Sequence, residues 1–164
     1  MRTTPDKLPK IPAYYCAMKQ NKFLQGEELA NAQLRHQPNP SQRILVVDDN
    51  LMIRRLNTRA LTGSGYQVNT AEDGADAWEA LQLEDYDLMV TDNDMPNVTG
   101  VELIQKLQEA RMNLPVIMAT GTMPQDHLDQ HPWLKINAVL LKPFSFNVLL
   151  KTVKNVLHAH AWKA

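Results

Sequence analysis

The chain has 164 residues, 44% of them hydrophobic, which suffices for one domain with a real core and argues against intrinsic disorder. Its formal net charge of −1 gives no bulk-charge indication of binding to nucleic acid or to an anionic membrane surface. The single cysteine, Cys16, excludes an internal disulfide and suits a reducing compartment. Prolines interrupt the N-terminus, and no apolar run approaches the roughly 20 residues of a membrane span. The sequence therefore predicts a soluble, cytoplasmic protein.

The first 42 residues differ in composition from the rest. They hold half of the ten prolines, and six Lys or Arg against three Asp or Glu, whereas residues 43–164 hold eleven against fifteen. Apolar positions between Tyr14 and His36 follow helical spacing only imperfectly. We therefore predict an N-terminal extension or linker over 1–42, with a docked helix over 14–36 as the alternative, and one folded domain over 43–164.

From Arg43 onward, short apolar runs alternate with segments of helical periodicity. The predicted strands are 43–47, 66–70, 86–90, 115–119 and 138–141. The predicted helices are 51–63, 74–83, 99–111, a short segment after Pro124, and a last helix that begins at Phe146 after the N-cap Ser145. Strand–helix alternation of this kind predicts an α/β fold, in which a doubly wound, five-stranded parallel sheet is covered by helices on both faces.

Polar residues follow the predicted strands. The strand ends deliver Asp48 and Asp49 (first), Asp92 and Asp94 (third), Thr120 (fourth) and Lys142 (fifth). Ligands of such sheets bind at the carboxyl ends of the strands, so these groups should converge. Three close carboxylates repel one another, and a hard divalent cation such as Mg²⁺ relieves that repulsion. With a lysine and a hydroxyl nearby, the set is suited to phosphoryl transfer onto a carboxylate, which forms an acyl phosphate.

Four segments carry a resemblance to a known family. ILVVDDN, DLMVTDNDMPNVTG, PVIMATG and LLKPF are similar, in order and in spacing, to the signature segments of the response-regulator receiver domain of two-component signalling. The resemblance covers residues 43–160. It implies the flavodoxin-like strand order 2-1-3-4-5, and a phosphoryl group received from a histidine kinase or a histidine phosphotransfer protein.

The resemblance also implies a role for each residue at the strand ends. Asp92 would be the phosphoacceptor and a Mg²⁺ ligand. Asp49 would bind Mg²⁺ directly, Asp48 largely through water, and Asp94 through its backbone carbonyl. Thr120 and Lys142 would hold the phosphoryl group. Such a module is a phosphoacceptor with slow self-dephosphorylation and is not an enzyme.

Three positions depart from the family pattern. Val139 stands where the family often has Tyr or Phe, Gly121 stands where Ala is common, and Asp94 stands where an uncharged residue is frequent. The first departure calls the aromatic version of the output switch into question. Arg54, Arg55 and Arg59 on the first helix are interpreted as a solvated face, with a kinase-docking face as the alternative.

Two other functions are compatible with parts of the pattern. Asp92-Asn93-Asp94 matches the D-x-D of Mg²⁺-dependent phosphatases of the haloacid-dehalogenase type, although those enzymes usually carry that motif on their first strand. A receiver-like scaffold that is never phosphorylated is the third hypothesis. Few residues follow the last predicted helix, so we expect output through a downstream protein partner, without direct binding to nucleic acid. The alternatives are that the chain is a phosphoryl relay or a fragment of a larger protein.

Overall fold

The computed structural model describes residues 42–121 and 134–161. Strands and helices alternate through both ranges. The strands are β1 (Arg43–Val47), β2 (Gln67–Ala71), β3 (Leu88–Asp92), β4 (Val116–Thr120) and β5 (Ala138–Leu141), and the helices are α1 (Leu51–Gly63), α2 (Gly74–Leu83), α3 (Gly100–Glu109) and α4 (Phe146–Ala161). The predicted extension over 1–42 and the predicted segment after Pro124 lie outside the described residues, apart from Gln42, so both stay predictions.

The five strands form one parallel sheet in the order β2-β1-β3-β4-β5. In this sheet Val46 lies opposite Thr70 of β2 and Val90 of β3, while Thr120 lies opposite Leu141 of β5. Both the predicted fold class and the predicted strand order are therefore confirmed. Because every pair is parallel, the carboxyl ends of all five strands lie at one edge of the sheet.

Successive side chains of the central strands alternate between the two faces of the sheet, and each face has its own hydrophobic core. Leu45 and Val47 pack with α2 and α3 on one face of the sheet. Ile44 and Val46 pack with α1 and α4 on the other. The central strands β3 and β4 are buried along their whole length, so the residues at their carboxyl ends rest on a rigid base.

The burial of α1 differs from the prediction. Of the predicted apolar face, Ile53, Leu56, Ala60 and Leu61, only Leu61 is buried, and Leu56 is 43% exposed. The buried positions are Arg54, Asn57 and Leu61. Arg54 is thus not part of a solvated face, whereas Arg55 and Arg59 are exposed as predicted. Apolar periodicity missed this face because two of its three members are polar, and Arg54 is buried with its guanidinium bonded to the carbonyl of Asp48.

The other boundaries agree to within two residues. The two edge strands are only partly buried, since β2 has exposed residues at Gln67 and Thr70. Helix α4 buries Leu149, Val153, Val156 and Leu157, while Phe146 is 48% exposed. The hydroxyl of Ser145 accepts a hydrogen bond of 3.4 Å from the N–H of Val148, as predicted for an N-cap. Within 42–121 and 134–161 there is no helix of the length and apolarity that a membrane crossing requires.

Candidate functional site

The carboxyl edge of the sheet brings three of the predicted acids together. Asp48 and Asp49 follow β1, and Asp92 is the last residue of β3. One carboxylate oxygen from each of these three residues lies within 4.8 Å of the other two. Asp48 and Asp92 are almost fully buried, whereas Asp49 is exposed. The cluster therefore has a buried floor and one side that is open to solvent.

Lys142, which follows the edge strand β5, also contacts the cluster. Its Nζ donates hydrogen bonds of 2.7 Å to Oδ2 of Asp92 and 3.0 Å to Oδ2 of Asp48. The side chain of Lys142 is 20% exposed, and those of Asp92 and Asp48 are 9% and 3% exposed. The ammonium is thus shared between two carboxylates that have little other access to water.

Backbone amides hold the carboxylates in place. Oδ1 of Asp92 accepts a hydrogen bond of 2.7 Å from the N–H of Asn93, and a longer one of 3.4 Å from Asp94. Oδ1 of Asp48 accepts one of 2.9 Å from the N–H of Asn50. Asn50 is in turn the N-cap of α1, so the start of that helix fixes the position of Asp48.

The pKa values in this site reflect burial and charge. Burial raises the pKa of Asp48 above its ordinary value, and Lys142 offsets that effect only in part. Burial by itself lowers the pKa of Lys142, but its hydrogen bonds to Asp92 and Asp48 outweigh burial and raise that pKa. One ammonium facing three carboxylates leaves an excess of negative charge, so a further cation would stabilise the ionised acids.

Oxygen ligands and negative charge are what Mg²⁺ requires. Carboxylates suit this hard cation better than they suit softer metals, and Mg²⁺ usually binds through one or two carboxylates and several waters. The arrangement of Asp48, Asp49 and Asp92, open on the side of Asp49, fits such a cation.

Thr120 and Asp94 lie near this set but differ in exposure. Thr120 is buried at the end of β4, and its carbonyl accepts a 2.8 Å hydrogen bond from the N–H of Lys142. Asp94 is exposed, and its Oδ1 accepts a hydrogen bond of 3.1 Å from the side-chain amide of Asn93. Its role through the backbone carbonyl stays a prediction.

Arg54 supports the site and was not assigned to it from the sequence. Its Nη1 donates a hydrogen bond of 2.6 Å to the backbone carbonyl of Asp48, and its Nη2 lies 3.7 Å from Oε1 of Glu72. The guanidinium therefore fixes the main chain of a predicted ligand from inside the protein. A signal was present in the sequence, since an arginine six residues after Asp48 lies on the face of α1 that turns toward β1.

Gly100 allows α3 to begin directly against the end of β3. A Cβ at this position would clash with the backbone carbonyl oxygen of Asp92. The N–H of Gly100 donates a 3.1 Å hydrogen bond to the carbonyl of Asn93, and Thr99 and Glu102 form a capping box at the same helix start. A glycine eight residues after Asp92 and directly after a capping threonine was the sequence signal for this contact.

Comparisons with known proteins place this geometry in context. A family model described as "Response regulator receiver domain" matches residues 44–154. The chemotaxis protein CheY of Pseudomonas aeruginosa is 33% identical over 118 residues, which cover 70% of this chain and 94% of that protein. The sensor protein EvgS of Escherichia coli O157:H7 is 37% identical over 115 residues, or 70% of this chain. The chain spans only about 10% of the length of that sensor protein.

Solved structures agree with the observed sheet. The response regulator TrrA of Thermotoga maritima, in complex with Mg²⁺-BeF, is 31% identical and superimposes with a TM-score of 0.63. That match covers 70% of this chain and 98% of TrrA. Chemotaxis protein CheY4 of Vibrio cholerae is 30% identical with a TM-score of 0.65, and the match covers 71% of this chain and 98% of CheY4.

Proposed function

The chain belongs to the response regulator receiver family, the phosphoacceptor modules of two-component systems, and from that premise we propose that Asp92 is its phosphoacceptor. The observation that carries the proposal is the position of Asp92 at the end of β3, where Lys142 binds its carboxylate at 2.7 Å and Asp48 and Asp49 lie alongside. In this position Asp92 contacts the ammonium of Lys142 and lies next to the open side of the site.

The proposed reaction is transfer of a phosphoryl group from the phosphohistidine of a histidine kinase or a histidine phosphotransfer protein. An oxygen of the Asp92 carboxylate forms the new bond to phosphorus as the phosphorus–nitrogen bond breaks, and the imidazole leaves with its electron pair. The product is an acyl phosphate on Asp92. Little covalent chemistry falls to the protein, so its contribution is to position groups and to neutralise charge.

Asp48, Asp49 and Asp92 are the residues that would hold Mg²⁺, together with the backbone carbonyl of Asp94. When bound, Mg²⁺ neutralises charge on the phosphoryl oxygens. Lys142 exchanges part of its contact with the two carboxylates for a phosphoryl oxygen. The hydroxyl of Thr120, at the end of the adjacent strand, donates to another. Slow hydrolysis of the acyl phosphate by the protein itself belongs to the same proposal.

The partners belong to the proposal as well. The matched sensor proteins support a histidine kinase or phosphotransfer protein as the phosphoryl donor. We propose a downstream protein partner for output and a cytoplasmic location. The haloacid-dehalogenase alternative loses its support, because the receiver family model matches residues 44–154, the range that contains Asp92 and Asp94. The scaffold alternative is left to experiment.

Mass spectrometry of the intact protein tests the proposal. After incubation with acetyl phosphate and Mg²⁺, wild type should gain one phosphoryl group, which EDTA should prevent. Asp92→Asn should gain none. Asp85→Asn, which changes an exposed acid after α2, is the matched control and should behave as wild type. An unlabelled wild type would overturn the proposal and favour the scaffold, whereas equal labelling of Asp92→Asn would overturn the assignment of Asp92 as the phosphoacceptor.

A further inference from the structure

The loop that follows Asp92, residues 93–99, is fixed firmly at one end. The carbonyl of Asn93 accepts from the N–H of Gly100 at 3.1 Å, and its Oδ1 accepts from the N–H of Val101 at 3.3 Å. The Met95 side chain is buried in the core below α2 and α3. Between these anchors lies the exposed Asp94, whose backbone carbonyl is the proposed cation ligand.

The other end of this loop is held by the start of α2. The Nδ2 of Asn97 donates a hydrogen bond of 2.5 Å to Oδ2 of Asp73, and the N–H of Gly74 donates one of 3.2 Å to the carbonyl of Val98. A Cβ on Gly74 would lie 2.6 Å from that same carbonyl oxygen. The turn between β2 and α2 therefore contacts the loop closely, although that turn supplies no ligand of the site.

The conformation of Asn97 suggests that its side chain has a specific purpose. Its φ is 62°, in the left-handed region that glycine adopts most easily. Asparagine tolerates this region better than other residues with a Cβ. A glycine here would adopt this φ without steric strain, whereas asparagine adds an amide that reaches Asp73.

The carboxylate of Asp73 makes two kinds of contact, one through each of its oxygens. Its Oδ1 accepts from the N–H groups of Ala75 and Asp76 and so caps α2, while Oδ2 accepts from Asn97. The hydrogen bond from Asn97 is the largest cause that lowers the pKa of Asp73, followed by the backbone N–H of Asp76. The carboxylate is thus ionised at neutral pH and available for both contacts.

From these contacts we infer that Asp73 and Asn97 form a latch that positions loop 93–99, and with it the backbone carbonyl of Asp94, for cation binding beside Asp92. The inference rests on the proposed function, because it assigns a purpose to the order of a loop at that site. Neither residue contacts the cation or the phosphoryl group, so both are positioning residues.

Three variants separate the latch from other effects. Asn97→Gly keeps the left-handed backbone and the net charge but removes the amide. The exchange of the pair, Asp73→Asn with Asn97→Asp, also keeps the net charge and restores an amide–carboxylate contact with the direction reversed, while asparagine still caps α2. Asn113→Gly, in an exposed loop at the opposite edge of the sheet, is the control for replacing asparagine by glycine.

The first measurement is hydrogen exchange of the backbone amides of Asp94, Met95, Asn97 and Val98 without Mg²⁺, so it does not depend on phosphorylation. Asn97→Gly should speed exchange in this loop about tenfold, the change expected for the loss of one hydrogen bond. Exchange in β3 should stay as in wild type, which shows that the variant is folded. In the double variant Asp73→Asn, Asn97→Asp and in Asn113→Gly, the loop amides should exchange as slowly as they do in wild type.

The second measurement is the Kd of Mg²⁺ by titration calorimetry. We expect Asn97→Gly to weaken Mg²⁺ binding several-fold and the exchanged pair to recover most of the loss. The latch would be overturned if Asn97→Gly changed neither the hydrogen exchange of the loop nor the affinity for Mg²⁺. It would also be overturned if the double variant Asp73→Asn, Asn97→Asp bound Mg²⁺ no more tightly than Asn97→Gly. If wild type fails to take up phosphate, the proposed function is overturned instead. The hydrogen-exchange measurement then still tests the latch, because it does not depend on phosphorylation.

Discussion

Lys142 reaches across a neighbouring strand to Asp92, and its Nζ lies 2.7 Å from Oδ2 of that residue. Lys142 follows β5 and Asp92 ends β3, with β4 between them in the sheet. The same Nζ also binds Asp48 beyond β3. One ammonium therefore spans the site and neutralises two acids that are almost excluded from water.

Replacing Lys142 by methionine should destabilise the protein at pH 7 without Mg²⁺. The change leaves two nearly buried carboxylates without their cation, which costs several kcal/mol in fully buried pairs. Because Lys142 is 20% exposed, we expect a smaller loss, about 2 kcal/mol, in the free energy of unfolding by urea. Lys151→Met, which changes an exposed lysine of α4, should cost little.

The loss in Lys142→Met should also depend on pH and on Mg²⁺. Burial already raises the folded-state pKa of Asp48 above its ordinary value, and loss of the ammonium that opposes this effect raises it further, so ionisation of Asp48 opposes folding. The deficit is then greatest above the raised value and shrinks as pH falls through it. Mg²⁺ should restore part of the stability. Equal stability of wild type and Lys142→Met at pH 7 without Mg²⁺ would contradict this account.

Gly100→Ala should destabilise the fold by about 3 kcal/mol, at the upper end of the usual cost of overpacking. The added Cβ meets the backbone carbonyl of Asp92, which cannot move without shifting β3. Gly63→Ala is the control, because no atom lies within 4 Å of its Cβ and the site is helical. That change should be neutral or stabilising. Similar urea midpoints for the two variants would refute the predicted clash.

Asp73 should titrate below its ordinary pKa of 3.8, and Asn97→Gly should move its pKa upward. The upward movement is partial, because the N–H groups of Asp76 and Ala75 remain as donors. Since the folded pKa is lowered, Asp73 contributes stability that is present above 3.8 and is lost as pH falls through the lowered value. Carboxyl carbon NMR measures both titrations, and an unchanged Asp73 pKa in Asn97→Gly would argue against the hydrogen bond in solution.

Thr120→Ala should still accept phosphate on Asp92 but lose most of the conformational response. Thr120 is joined to β5 through its carbonyl and the N–H of Lys142, and a phosphoryl group would draw its hydroxyl toward the site. Val139, which lies opposite Met118 in the sheet, has no ring to reorient, so Val139→Ala should change the response little. The changes in backbone amide chemical shifts on adding beryllofluoride measure the response of each variant. A larger loss of response in Val139→Ala than in Thr120→Ala would refute the role given to Thr120.

Deleting residues 1–42 should leave the thermal transition of 43–164 nearly unchanged. The prediction comes from composition, namely the prolines and the opposite charge balance of these residues. A fall in Tm of several degrees, large for a domain of this size, would show instead that the segment around Tyr14–His36 is docked. Circular dichroism of the two chains at equal concentration measures the difference.

The sequence by itself determined the fold class, the strand order and the convergence of the acidic side chains at one edge of the sheet. Apolar runs that alternate with helical periodicity define a parallel α/β sheet, and the four motifs identify its family. Parallel strands place all their carboxyl ends at one edge. For that reason Asp48, Asp49, Asp92 and Lys142 were predicted to converge, from their positions after strands alone, and the structure brings them together.

Only the tertiary structure decided which polar residues support the site. Periodicity placed Leu56 in the core and Arg54 in solvent, whereas the protein exposes Leu56 and buries Arg54 against the carbonyl of Asp48. Nor does the chain order show that the turn after β2 contacts the loop after β3, or that Asn97 reaches Asp73. The burial of a polar side chain depends on its hydrogen-bond partner, and that partner is near only once the chain has folded.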